Sequence, residues 1–117
     1  MLQLNWMRCG DSKQWCSFQN VDLSHPHFKG LSGVYIIFYQ GSPGKVVRVG
    51  QGDIADRLTR HRNDPEVTRY KDLLVTWASV PANQLDGVEK YLADIFDPLV
   101  GDRFPDRRPI QVNSPFD

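Results

Sequence analysis

Six consecutive β-branched or aromatic residues, Val34-Tyr35-Ile36-Ile37-Phe38-Tyr39, constrain this chain more than any other stretch. Side chains of these kinds favour the extended chain, so the run reads as a strand. Gly41-Ser42-Pro43-Gly44 supplies a turn and Lys45 to Gly50 a second strand, so residues 33–50 are expected to form a β-hairpin. Pairing Gln40 with Lys45 across that turn sets Ile37 opposite Arg48 and Tyr35 opposite Gly50. Tyr35, Ile37 and Arg48 then share one face, with Val34, Ile36 and Phe38 on the other.

Past the hairpin, Gly50-Gln51-Gly52 releases the chain, and Asp53 serves as N-cap of a helix running to Arg62. Pro65 opens a further short helix or turn. From Leu73 to Val80, two apolar sets alternate as in a third strand, which Pro81 ends. Asn83 is expected to cap a second long helix, stopped by Pro98. Residues 1–30 read as an irregular extension whose Trp6, Trp15 and Phe18 either cover the core or meet a partner. The tail from Gly101 to Pro115 is rich in Arg, Asp and Pro and reads as ordered loop. The order β-β-α-(α)-β-α predicts a single α+β domain over residues 31–117, with a three-stranded sheet, on which residues 1–30 pack.

Two charges fall where these helices should be apolar. Leu85, Val88, Leu92, Ile95 and Phe96 form one stripe, and Glu89 lies inside it. Ile54 and Leu58 mark the stripe of the first helix, which also holds Arg57 and His61. Residues spaced three, four and seven apart share a helix face, so Glu89 and Arg57 are expected to point inward. An unpaired buried charge is costly, so the two imply either a structural salt bridge or a site.

A length of 117 residues fits one domain with a modest core. No apolar run approaches the roughly 18 residues of a membrane span. Met1 to Arg8 lacks a basic-then-apolar signal pattern, so a cytoplasmic location is expected. There, Cys9 and Cys16 are expected to stay reduced, and two thiols fall short of the four ligands of structural zinc. Net charge is zero, which by itself argues against nucleic acid, but the charge is unevenly spread. Residues 45–71 hold seven Lys/Arg against four Asp/Glu, while residues 72–117 hold four against eight. Arg57, Arg60, His61 and Arg62 concentrate the basic excess on one helix. Such a helix is either a solvated face or a phosphate contact whose affinity falls steeply with salt.

Together these residues could hydrolyse a phosphodiester. A carboxylate such as Glu89 can hold a divalent metal, Arg57 can clamp phosphate oxygens, and Tyr35 or His61 can accept the proton of an attacking water. Each also has a plainer reading: an ion pair for Glu89 and Arg57, a helix-end packing residue for His61, a strand aromatic for Tyr35. His25 and His27 flank Pro26 without a carboxylate or thiol at ligand spacing and read as surface residues.

Gly33-Val34-Tyr35, Arg48-Val49-Gly50, Arg57, His61 and Glu89, in that order, resemble the motif set of the GIY-YIG nuclease superfamily. Asn113, in Ile110-Gln111-Val112-Asn113, resembles its late asparagine, at an interval from Glu89 stretched by Gly101–Pro109. The resemblance runs from about Gly33 to Asn113. It implies a three-stranded antiparallel sheet flanked by helices, and DNA cleavage with one Mg²⁺ or Mn²⁺ ion. By position it makes Tyr35 the water-activating tyrosine, Arg57 the phosphate-binding arginine, Glu89 the metal ligand and His61 an aid to proton transfer. Gly33, Gly50 and Asn113 take supporting places, and Arg48, Arg60 and Arg62 are candidates for DNA contact. Arg48 departs from the pattern, standing where the family has its second tyrosine. A guanidinium cannot serve as a general base but can bind phosphate.

Three functions follow as expectations: a metal-dependent DNA endonuclease, a catalytically silent nucleic-acid-binding module, and a protein-interaction domain. The sequence carries no helix-turn-helix or zinc finger for target recognition. Target choice is then expected from DNA structure, from a protein partner or from a homodimer, and a monomer with one site would nick.

Overall fold

The computed structural model describes residues 1–41, 44–101 and 104–116. Strands β1 (Cys16–Ser17), β2 (Ser32–Tyr39), β3 (Lys45–Asp53) and β4 (Leu74–Ser79) form one antiparallel sheet in the order β1-β4-β2-β3. With helices α1 (Ile54–Arg62), α2 (Pro65–Thr68) and α3 (Leu85–Phe96) the fold is α+β. The sheet has four strands where three were expected. The addition, β1, pairs Cys16 with Val75 and Ser17 with Leu74. Two residues are too few to show an alternating pattern, so this strand exists through its partner.

Tyr35 lies opposite Gly50 and Ile37 opposite Arg48, as the hairpin reading requires. Nearer the turn the register differs: Lys45 faces Tyr39, not Gln40, and Phe38 faces Val46. Val47 is the extra residue of a β-bulge, which absorbs the one-residue difference. Ser42 and Pro43, at the centre of the expected turn, lie outside the described residues. At its other end β3 continues through Gln51 and Gly52, paired with Val34 and Gly33, so the chain is not released at Gly50.

Both faces of the sheet are covered, which explains why β2 is an unbroken apolar run. Tyr35, Ile37, Val47, Val75 and Trp77 pack with Ile54, Leu58, Val67, Phe18 and Phe28 on one side. Val34, Ile36, Phe38, Val49 and Ala78 pack with Val88 and Leu92 of α3 on the other, joined by Leu4 and Val112. Trp6 and Trp15 lie partly buried on this second core, so the N-terminal aromatics do cover the interior.

Asp53 caps α1 as expected, its side chain accepting from the Asp56 amide at 2.9 Å. Asn83 does not cap α3. Pro81 starts a 3₁₀ turn over Ala82–Gln84 that runs straight into the helix, so α3 opens at Leu85 without a side-chain cap. Within its stripe Ile95 is 46% exposed, because the helix leaves the sheet before its last turn. Asp97 closes the helix in the left-handed conformation, just before Pro98.

Cys9 and Cys16 are joined by a disulfide, correcting the expectation of reduced thiols. The short backbone pairing of Cys9 with Gln14 folds that segment back and brings the two sulfurs together. No helix of the described residues is long and apolar enough to cross a membrane.

Candidate active site

Tyr35 stands mid-strand in β2, and Gly50 beside it on β3 makes its position attainable. A Cβ at residue 50 would overlap the phenol Oη and Cζ and lie 2.9 Å from Cε1. With no side chain there, the ring crosses β3 toward α1, and Oη meets His61 Nε2 at 2.6 Å. Tyr35 is 2% exposed and His61 half-buried. Burial pushes the phenol up to about 12, partly countered by the Arg48 cation. Burial, and then Arg48, takes His61 down to about 4. Both groups are neutral at pH 7, so the phenol donates to Nε2 and the ring proton sits on Nδ1. Gly33 serves the sheet instead. A Cβ there would overlap the Ala78 carbonyl, so its absence lets β4 close on β2.

Arg48 and Arg57 lie close enough to act electrostatically on Tyr35, His61 and Glu89 alike. Arg48 follows the bulged Val47 on the Tyr35 face of β3. Its Nε is buried with no hydrogen-bond partner, and Nη1 packs on Gly101, where a Cβ would overlap it. Arg57 is exposed, which corrects the inward placement read from periodicity. The nine-residue α1 buries only Ile54 and Leu58. Arg57 instead lies along Gly52, where a Cβ would come within 2.9 Å of Nε. Among the described residues no ion pair joins Arg57 to Glu89, so the structural salt bridge is not formed.

Glu89 does face inward, at 8% exposure. Burial raises its pKa, and the Gln51 hydrogen bond and the Arg48 charge oppose that rise. The Gln51 amide reaches Glu89 Oε1 at 3.2 Å and Asp86 Oδ1 at 2.6 Å, so one side chain holds both carboxylates. Sequence reasoning missed Gln51 and Asp86. Their signals were present: Gln51 continues the Val49 face of β3 toward α3, and Asp86 precedes Glu89 by three residues on the helix.

The remaining candidates lie apart from this cluster. Arg60 is exposed and pairs with Asp56 at 3.2 Å. Arg62 is not part of a solvated face: Nε and Nη2 donate to the carbonyls of Phe18 and Val21 at 2.9 and 2.6 Å, tying α1 to the N-terminal segment. Asn113 clamps Leu4, accepting from its amide at 2.6 Å and donating to its carbonyl at 3.0 Å. His27 Nε2 accepts from the Trp77 indole at 3.0 Å and His25 Nδ1 from the His27 amide, so both act within the N-terminal fold.

Among the described residues no group of three His, Cys, Asp or Glu side chains could enclose a metal ion. A site of one buried carboxylate still fits Mg²⁺, which keeps several waters and shares its remaining positions with substrate phosphate. The arrangement therefore offers two cations for a phosphate, a carboxylate for a hard metal, and a neutral Tyr–His pair for a proton. No protein-family model, curated protein or solved structure matches the chain.

Proposed function

We propose that this protein is a metal-dependent endonuclease of GIY-YIG type that hydrolyses DNA phosphodiester bonds. The observation that carries the reading is the 2.6 Å Tyr35–His61 hydrogen bond, with Arg48 and Arg57 acting on both its members and on Glu89. These residues come from β2, β3, α1 and α3, and a packing role alone gives no reason for them to converge. The antiparallel sheet with helices on its faces agrees with the fold that the motif resemblance implies.

In this reading Arg48 and Arg57 bind the non-bridging oxygens of the phosphodiester. The attacking water passes a proton to Tyr35 Oη while the Tyr35 proton moves to His61 Nε2. The water oxygen bonds to phosphorus, the bond to the leaving sugar oxygen breaks, and that oxygen takes a proton from solvent. The resting site disfavours an imidazolium beside two guanidiniums, and the incoming phosphate charge relieves that penalty. Glu89, with Asp86 near, would hold one Mg²⁺ or Mn²⁺, which supplies charge stabilisation at the phosphate. A DNA substrate implies action in the cytoplasm, where the Cys9–Cys16 bridge would be reduced.

A second reading is a silent nucleic-acid-binding module, favoured by Arg48 in place of the second tyrosine and by the depth of Tyr35. The two separate on cleavage of supercoiled plasmid and branched DNA in Mg²⁺ or Mn²⁺. Glu89→Ala and Arg57→Ala should each lower the rate by about 10²-fold or more. Folded wild type that binds these substrates without cutting them would leave the silent module.

A further inference from the structure

We propose that a groove next to Glu89, walled by Arg107 and Arg108, receives the phosphate adjoining the scissile one on the same DNA strand. This rests on the endonuclease reading. The groove is a cavity of about 480 Å³ between the first turn of α3 (Asn83, Asp86, Gly87) and the segment carrying Arg107, Arg108 and Ile110. Gly87 permits it. A Cβ there would lie 2.6 Å from Ile110 Cγ1 and 2.9 Å from the Arg108 carbonyl, so the segment lies flush on the helix. The Ile110 amide donates to the Gly87 carbonyl at 2.9 Å and fixes the segment two residues before Glu89.

Groove and site share a wall. Asp86 lines the groove, and the Gln51 amide that holds it also holds Glu89. The groove's cations are readily recruited: Arg107 meets Asp86 at 3.6 Å with side chains 70% and 49% exposed, an ion pair worth little. Arg108 is exposed and makes no ion pair among the described residues. Asp86 repels a small anion arriving alone. A strand already anchored at Arg48 and Arg57 delivers its next phosphate at high effective concentration, which favours a polyanion as the occupant.

The test is the salt dependence of binding to a fluorescein-labelled forked DNA duplex in EDTA, where cleavage is suppressed. Arg107→Ala/Arg108→Ala should flatten the slope of log K against log salt by about 1.8, at about 0.9 per lost duplex phosphate contact. Lys13→Ala/Lys29→Ala, which removes the same net charge from exposed sites elsewhere, should leave it unchanged. An unchanged slope in the arginine pair, while Arg57→Ala still flattens it, would overturn the groove and leave the endonuclease reading standing. Absence of salt-dependent binding by wild type would overturn both.

Discussion

Replacing Gly50 by alanine should disable the Tyr35–His61 pair without altering either residue. The added Cβ would overlap Oη and Cζ of Tyr35 and stand 2.9 Å from Cε1. Ordinary carbon contacts are about 3.5–4.0 Å, so the ring must retreat on the order of 1 Å. Tyr35 is 2% exposed and has no free space to enter, so this overpacking should cost about 1–3 kcal/mol in urea unfolding. The same displacement takes the 2.6 Å bond beyond hydrogen-bonding range. Losing a donor to its neutral form should move the His61 pKa up from about 4 toward its ordinary 6.5, as read by NMR titration of the ring. Plasmid cleavage should fall roughly 10²-fold, the usual consequence of misplacing a reacting group by such a distance. Gly30→Ala is the control. Its φ of +67° should strain an alanine by about 1 kcal/mol, yet nothing lies within 4 Å of the new Cβ, so cleavage should persist. Wild-type stability in Gly50→Ala together with His61 still titrating near 4 would refute the reasoning.

Because folding depresses the His61 pKa from 6.5 to about 4, the unfolded chain takes up the proton first as pH falls. The stability tied to His61 is therefore complete above pH 6.5 and lost toward pH 4. Urea unfolding at the two ends should show about 1–2 kcal/mol of acid loss, reduced for partial exposure, that His61→Gln lacks. Asn113→Ala leaves the Leu4 amide and carbonyl without their partner and should cost about 2–3 kcal/mol, with a shift in tryptophan emission as Trp6 loosens. Reducing the Cys9–Cys16 bridge opens a loop with a sequence separation of seven and should cost about 2–3 kcal/mol in thermal unfolding. Cleavage below the lowered melting temperature should be unaffected.

The hairpin was legible where side-chain alternation governs it, since burying both faces leaves Tyr35 and Ile37 one permitted orientation. The bulge at Val47 was not, because an extra residue is set by how the turn closes and leaves no mark on the apolar pattern. Glu89 was correctly placed inward, since α3 lies along the sheet for most of its length. Arg57 obeyed the same periodicity and proved exposed, because a nine-residue helix at the rim offers the sheet less than the full stripe. The disulfide and β1 depend on residues 7–18 meeting β4, a tertiary event with no local pattern. The carboxylate-holding role of Gln51 was hidden by its flanking glycines, which read as a turn although β3 passes through them.

The clamp between Asn113 and Leu4 joins residues 109 positions apart and has a consequence for synthesis on the ribosome. Translation adds about 5–20 residues per second, so Leu4 and Trp6 must wait roughly 5–20 s for their partners to be made. In that interval the chain can assemble the hairpin and α1, but it leaves one face of the nascent sheet unsealed and two apolar side chains free to meet a chaperone. Residues 111–113 thus act as a late latch, and ribosome-stalled chains ending before them should remain protease-sensitive at the N-terminus long after the hairpin has formed.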